Sequence, residues 1–133
     1  MTREEKNKHQ REQRALNGNV HTKKYEKTEK GFLVRTYRNM LSRVNGVTKK
    51  KNHLYLGLEI LDKEDFYLWS MNSFDFKYLF EKWIESNYDR KLTPSIDRID
   101  SKKGYCFGNM QWITFSENCK RGAESRFKKY KDN

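Results

Sequence analysis

Residues 94–122 read PSIDRIDSKKGYCFGNMQWITFSENCKRG, and this stretch decides the fold of the chain. The short apolar segments SIDRI and NMQWIT predict two strands, and the glycine-containing segment DSKKG between them predicts a turn. Thr114 and Glu117 have the spacing of a capping box, which predicts a helix that begins near Ser116 and continues into the basic C-terminus. The stretch therefore predicts a strand–loop–strand–helix unit.

Such a unit can bring a carboxylate on its first strand close to the first turn of its helix. Asp97 lies on the predicted strand and Asn118 lies in the predicted first turn. One carboxylate and one amide oxygen, completed by water and phosphate oxygens, suit a hard divalent cation such as Mg²⁺. A bound cation can polarise a phosphodiester. Asp and Asn also start turns and cap helices, so the spacing alone leaves both roles open.

The same stretch resembles the HNH, or ββα-metal (His-Me finger), nucleases, and most closely their small, mostly phage-encoded HNH-like relatives. The resemblance covers roughly residues 32–122 and implies an α+β fold, with a mostly helical N-terminal part followed by a C-terminal ββα-metal hairpin–helix motif. The matching positions are Ser95, Ile96, Asp97, Arg98, Ile99, Asp100, Gly104, Tyr105, Asn109, Trp112, Thr114, Glu117 and Asn118.

The resemblance also implies roles for individual residues. Asp97 and Asn118 would hold a single Mg²⁺ (or Mn²⁺). Asn109 would fix the loop that connects the strands, and Gly104 and Tyr105 would shape its turn. With Arg98, the residues Asp97, Asn109 and Asn118 form the candidate catalytic set.

Arg98 departs from the family pattern, because the family has a general-base histidine directly after the metal-binding aspartate. A guanidinium stays protonated and cannot accept a proton from water. Three readings stay open at this point. Arg98 clamps the scissile phosphate, or His53 approaches from elsewhere in the fold, or the site is degenerate and the scaffold only binds DNA.

The composition points to a polyanionic partner. The 133 residues carry a formal net charge of +11, and nucleic acid is the first candidate for such a basic domain, ahead of an anionic membrane surface. No apolar run approaches a membrane span, so we expect a cytoplasmic protein. The two cysteines form no CxxC pair, which excludes a four-cysteine zinc site. The candidate nucleic-acid contacts are Arg35, Arg38, Arg43, Lys49, Lys50, Lys51, Lys102, Lys103, Lys120 and Arg121.

The chain divides into three segments by composition. Residues 1–30 have few large apolar side chains and form a basic N-terminal arm, with helical potential over TREEKNKHQREQRAL. Residues 31–122 form the HNH-like domain, and residues 123–133 form a basic tail. Within the domain, helical spacing predicts an amphipathic helix over 32–44 and an aromatic helix in FDFKYLFEKWIES. A short helix, KEDFYLWSM, precedes the latter, and HLYLGLEIL predicts a short strand or a turn.

Three functions compete on this basis. The first is a metal-dependent DNA endonuclease of the HNH type, a nickase or homing-like enzyme that acts on double-stranded DNA without a small-molecule cofactor. The second is a catalytically degenerate DNA-binding protein on the same scaffold, which the arginine at position 98 favours. The third is an RNA- or ribosome-associated basic protein.

Overall fold

The computed structural model describes residues 2–17, 24–46 and 54–131. Within these ranges the fold is α+β and mostly helical, as the sequence predicts. Lys49, Lys50, Lys51 and His53 lie outside the described residues. The elements are α1 (Arg3–Asn17), α2 (Glu29–Val44), α3 (Lys63–Met71), α4 (Phe74–Glu85), a short 3-10 helix (Arg90–Leu92), β1 (Pro94–Arg98), β2 (Met110–Thr114) and α5 (Phe115–Lys131).

The chain separates into two units, residues 1–35 and 36–133. In the first unit, Thr2 and Glu5 form a reciprocal capping box at the start of α1: the Glu5 amide donates to Thr2 Oγ1 and the Thr2 amide donates to the Glu5 carboxylate. This box satisfies backbone donors that a helix start leaves unpaired. The N-terminal segment is therefore helical over Arg3–Asn17, which confirms its predicted helical potential.

The amphipathic helix predicted over 32–44 is also present, as α2. Met40 and Val44 on its apolar stripe are buried, whereas Leu41 at the edge of the stripe is 37% exposed. Asn45 and Gly46 end the helix, and Gly46 has a φ of 75°, a conformation that favours glycine after a helix.

In the second unit, α3 and α4 begin at side-chain caps. Asp62 accepts a hydrogen bond from the Glu64 amide, and Ser73 Oγ accepts one from the Phe76 amide, both at 3.2 Å. Such caps satisfy amides that have no partner within the helix. The two helix starts are therefore where the sequence predicts them.

The helical spacing of Phe76, Leu79, Phe80, Trp83 and Ile84 predicts that all five face the core, and the buried stripe of α4 is narrower than this. Phe76 and Phe80 are buried, Leu79 and Trp83 are half-buried, and Ile84 is 42% exposed. The prediction of a core position is therefore wrong for Ile84. This residue lies in the last turn of α4, where the stripe has rotated away from the core.

The segment around Gly57 forms a turn and then an isolated bridge rather than a regular strand. Gly57 has a φ of 76°. Beyond the turn, Ile60 bridges Tyr105, and backbone hydrogen bonds join Leu61 and Glu59 to the same tyrosine at 2.8 and 2.7 Å. These contacts attach the segment to the loop between β1 and β2.

The antiparallel pair of β1 and β2 has two different faces. Ile96 is opposite Trp112, and Asp97 is opposite Gln111. Because successive side chains of a strand point to opposite faces, these two pairs lie on opposite sides of the sheet. Trp112 packs against Phe76, with 4.6 Å between ring centroids, and its indole N–H donates to buried Ser70 at 3.3 Å.

The other face of the sheet carries Ser95, Asp97 and Gln111 and is covered by α5. Asn118 of α5 contacts Ser95, and Arg121 contacts Asp97. The hairpin thus lies between the aromatic core and the last helix. In 2–17, 24–46 and 54–131, no helix combines the length and apolarity needed to cross a membrane.

Candidate functional site

Asn109 organises the loop that joins the two strands. Its side-chain amide nitrogen donates to the carbonyls of Asp100 and Gly104 at 3.1 and 2.8 Å, and its Oδ1 accepts from the Asp100 amide at 2.8 Å. The residue is only 6% exposed. These hydrogen bonds of the Asn109 side chain are all made to backbone groups of the loop. The side chain therefore lies buried beneath the loop rather than at the surface.

Gly104 and Tyr105 occupy the crowded part of the same loop. A Cβ atom at position 104 would overlap the carbonyl of Glu59, so only glycine allows this close approach of backbones. Tyr105 is 1% exposed. Burial raises the pKa of its hydroxyl, and the nearby guanidinium of Arg43 acts in the opposite direction.

The guanidinium of Arg98 is engaged by the protein itself. Its Nη1 lies within hydrogen-bonding distance of the carbonyls of Leu54, Ser101 and Lys103, at 3.2, 3.0 and 3.1 Å. Its Cζ lies 4.2 Å from the centroid of the Tyr55 ring, a distance typical of a cation–π contact. Arg98 therefore binds the loop and the Gly57 turn together, on the side of the sheet away from Asp97.

Asp97 lies on the face towards α5, where basic and amide groups surround its carboxylate. Its Oδ2 accepts a hydrogen bond from Gln111 at 2.9 Å and pairs with Arg121 Nε at 3.1 Å. The side chain of Asp97 is 11% exposed and that of Arg121 is 44% exposed. The helix residue that reaches the carboxylate is therefore Arg121.

Asn118 lies one turn before Arg121 on the same face of α5. Its amide nitrogen donates to Ser95 Oγ at 2.8 Å and approaches the Ile96 carbonyl at 3.4 Å. These contacts hold the start of α5 against β1. Asn118 and Asp97 are thus both at the hairpin–helix junction, but each is bound to other groups.

The donor set at this junction does not fit a resident divalent cation. Mg²⁺ and Ca²⁺ favour several oxygen ligands with net negative charge, and the junction supplies one carboxylate that already has a guanidinium partner. Among the described residues there is also no group of three or more His, Cys, Asp or Glu side chains that could hold a metal. The cation partner of Asp97 is a side chain of the protein.

The described candidates for nucleic-acid contacts belong to different elements of the two units. In the first unit, Arg35 pairs with Glu26 at 2.8 Å. In the second unit, Arg38 is exposed and Arg43 donates to the Tyr105 hydroxyl at 3.3 Å. Four candidates belong to the hairpin and α5, and all four are exposed: Lys102, Lys103, Lys120 and Arg121.

The sequence predicts Arg121 as a phosphate contact but does not predict its pairing with Asp97. Nor does it predict Gln111 as a partner of Asp97 or Tyr55 as a partner of Arg98. One signal was present: Asn118 and Arg121 are three residues apart, which places them on one face of a helix. The pairing of Gln111 with Asp97 follows only from the strand register.

Comparisons of the chain with models of known protein families, with curated proteins and with solved structures found no match. The proposed function therefore rests on the sequence pattern and on the geometry of the hairpin and α5.

Proposed function

We propose that the chain is a DNA-binding protein built on an HNH-like hairpin and helix, which binds double-stranded DNA through its phosphates and does not hydrolyse it. The observation that carries this proposal is the ion pair between Arg121 and Asp97. In the HNH-like pattern Asp97 would be the metal-binding carboxylate, and here a guanidinium of the chain pairs with it.

The charge of α5 supports binding to a polyanion. Over Phe115–Lys131 the acidic residues are Glu117 and Glu124, and the basic residues are Lys120, Arg121, Arg126, Lys128, Lys129 and Lys131. The loop adds exposed Lys102 and Lys103. Cations of this kind bind phosphates by releasing condensed counterions, which gives affinity that falls steeply with salt and depends little on sequence.

The position of Arg98 supports the absence of hydrolysis. General-base catalysis is typically worth about 10²–10⁴ in rate, and arginine cannot supply it. The guanidinium of Arg98 is also bound to the loop carbonyls of Ser101 and Lys103. Arg98 therefore does not supply a proton acceptor for hydrolysis.

The test combines a binding assay and a cleavage assay on the purified full chain. We expect a gel shift with double-stranded DNA at low salt that weakens as salt rises, and no nicking of supercoiled plasmid with Mg²⁺, Mn²⁺ or EDTA. The double variant Lys102→Gln with Lys103→Gln should bind more weakly than wild type. Lys77→Gln with Lys82→Gln on α4 is the charge-matched control. Failure to bind DNA at any salt would overturn the proposal, and a preference for RNA would indicate the RNA-associated class instead.

A second candidate is the metal-dependent HNH-type endonuclease, with Mg²⁺ or Mn²⁺. It is favoured by the exposure of Arg121, since a side chain that is 44% exposed can leave the carboxylate. This candidate predicts metal-dependent relaxation of supercoiled plasmid that Asp97→Ala and Asn118→Ala abolish. The same plasmid assay therefore separates the two functions.

A further inference from the structure

The ion pair of Arg121 with Asp97 leaves most of the guanidinium unused. The contact is made through Nε, at 3.1 Å from Asp97 Oδ2. The described residues provide no hydrogen-bond or ion-pair partner for its two Nη groups. Because guanidinium has five N–H donors in a planar fork, the Nη side can still bind an anion.

Asp97 is itself held firmly, which makes it a good anchor. Gln111 lies directly opposite Asp97 in the sheet and donates to the same Oδ2 at 2.9 Å. The carboxylate is 11% exposed, whereas Arg121 is 44% exposed. The pair therefore has a fixed, mostly covered carboxylate end and an exposed guanidinium end.

We propose that Arg121, oriented by Asp97, is a phosphate-anchoring residue of the DNA interface. Its guanidinium takes the place of the divalent cation that the HNH-like pattern implies at this junction. The phosphate contact rests on the proposed DNA binding, whereas the replacement of the cation does not depend on it. Asp97 then acts as a positioning residue that does not contact DNA.

This arrangement reverses the usual effect of removing an acidic residue. Loss of a carboxylate next to a polyanion normally strengthens binding, because a repulsive charge disappears. Here Asp97→Ala releases the Arg121 side chain, which must then be ordered when DNA binds. Ordering one long side chain costs about 0.5–1.5 kcal/mol, so we expect affinity to fall about 2- to 10-fold.

Two control variants match the change in charge away from the junction. Glu85→Ala removes one acid on α4, where Glu85 pairs with Lys82, and it should bind as tightly as wild type or more tightly.

Arg121→Gln should weaken binding by about 10-fold or more, because it removes a charge-assisted contact. It should also lower the slope of log K against log salt by about 0.9. Lys82→Gln is its control and should change neither quantity to this extent.

The replacement of the divalent cation by Arg121 is tested by thermal melting of the protein without DNA. The wild type should have the same Tm in Mg²⁺, in Mn²⁺ and in EDTA at equal ionic strength. Arg121→Asp places a second carboxylate beside Asp97, so its Tm should rise with Mn²⁺ and return with EDTA, since a ligand that binds the folded state stabilises it. Arg121→Asn serves the same purpose if the aspartate variant does not fold without metal. Circular dichroism checks the fold of each variant.

The outcomes separate the inference from the proposed function. A wild type that does not bind DNA refutes the function, while the melting experiment still tests the replacement of the cation. A wild type that binds DNA, with Asp97→Ala binding as tightly as Glu85→Ala, refutes the positioning role alone. A wild type with an Asp97-dependent rise of Tm in Mn²⁺ refutes the replacement of the cation by Arg121.

Discussion

Replacing Asn109 with alanine should destabilise the whole second unit, because this side chain joins both ends of the loop between β1 and β2. It makes three hydrogen bonds, to the Asp100 amide, the Asp100 carbonyl and the Gly104 carbonyl, between 2.8 and 3.1 Å. Gly104 is buried. Alanine would leave its carbonyl without this donor, and water could reach it only by opening the loop.

The magnitude follows from the three contacts. A hydrogen bond contributes about 1 kcal/mol net, and a buried group that loses its partner costs about 1–3 kcal/mol. We therefore expect Asn109→Ala to lower the free energy of unfolding by about 2–4 kcal/mol. This is a large share of the roughly 5–15 kcal/mol that stabilises an ordinary domain.

Urea unfolding followed by tryptophan fluorescence measures this loss, and the m-value should stay unchanged if only the native state is affected. Asn109→Asp is the sharper variant, because at neutral pH it sets a carboxylate oxygen against the two carbonyls that now accept from the amide. It should cost at least as much as alanine, and part of the loss should return at acidic pH, where the carboxyl group can donate. A loss below about 0.5 kcal/mol for both variants would refute the structural role of Asn109.

Three further predictions concern the core, Tyr105 and Arg98. Phe76→Ala should cost about 3–5 kcal/mol in urea unfolding, because Phe76 is fully buried against Trp112; a cost below about 1 kcal/mol would contradict this packing. Burial raises the pKa of Tyr105 above its ordinary value of 10.0, so its stabilising effect is complete below pH 10.0 and is lost as pH rises through the folded-state pKa. The stability difference between wild type and Tyr105→Phe should therefore shrink as the pH rises above 10.0. A difference that does not depend on pH would refute the raised pKa of Tyr105. Arg98→His should lower the Tm, because it removes the guanidinium that contacts the carbonyls of Leu54, Ser101 and Lys103. It should not produce plasmid nicking in Mg²⁺, since Arg121 still pairs with Asp97; metal-dependent nicking by this variant would contradict the replacement of the cation by Arg121.

Local signals predicted the elements well, because helix and strand starts depend on residues close in sequence. Ser73 and Asp62 cap α4 and α3 where their positions indicate. Thr114 accepts from the Glu117 amide at 3.1 Å, as its capping-box spacing predicts. The alternation of Met110 and Trp112 likewise predicts their shared buried face. Each of these features depends on a segment of at most about four residues, so the local sequence is enough to predict it.

The side-chain contacts of the candidate site could not be predicted from local sequence in this way. The contact of Arg98 with Tyr55 joins residues 43 positions apart, and no local pattern predicts that a turn far upstream will cover a strand residue. Whether Asn118 or Arg121 reaches Asp97 depends on how far α5 slides along β1. A helix rises about 1.5 Å per residue and a strand about 3.3 Å, so a shift of α5 by one turn changes which side chain meets the carboxylate.

That shift has a direct chemical consequence. With Asn118 at the carboxylate, the junction would offer two oxygen ligands to a cation. With Arg121 there, the junction contains a cation of its own, fixed by covalent attachment and unable to generate hydroxide. The sequence contains both residues, and only the packing of α5 against β1 and β2 selects between them. The same three-residue spacing thus separates a metal site from a site that a guanidinium occupies, and a Tm of Arg121→Asp that rises with Mn²⁺ would show that the scaffold accepts a divalent cation once the guanidinium is removed.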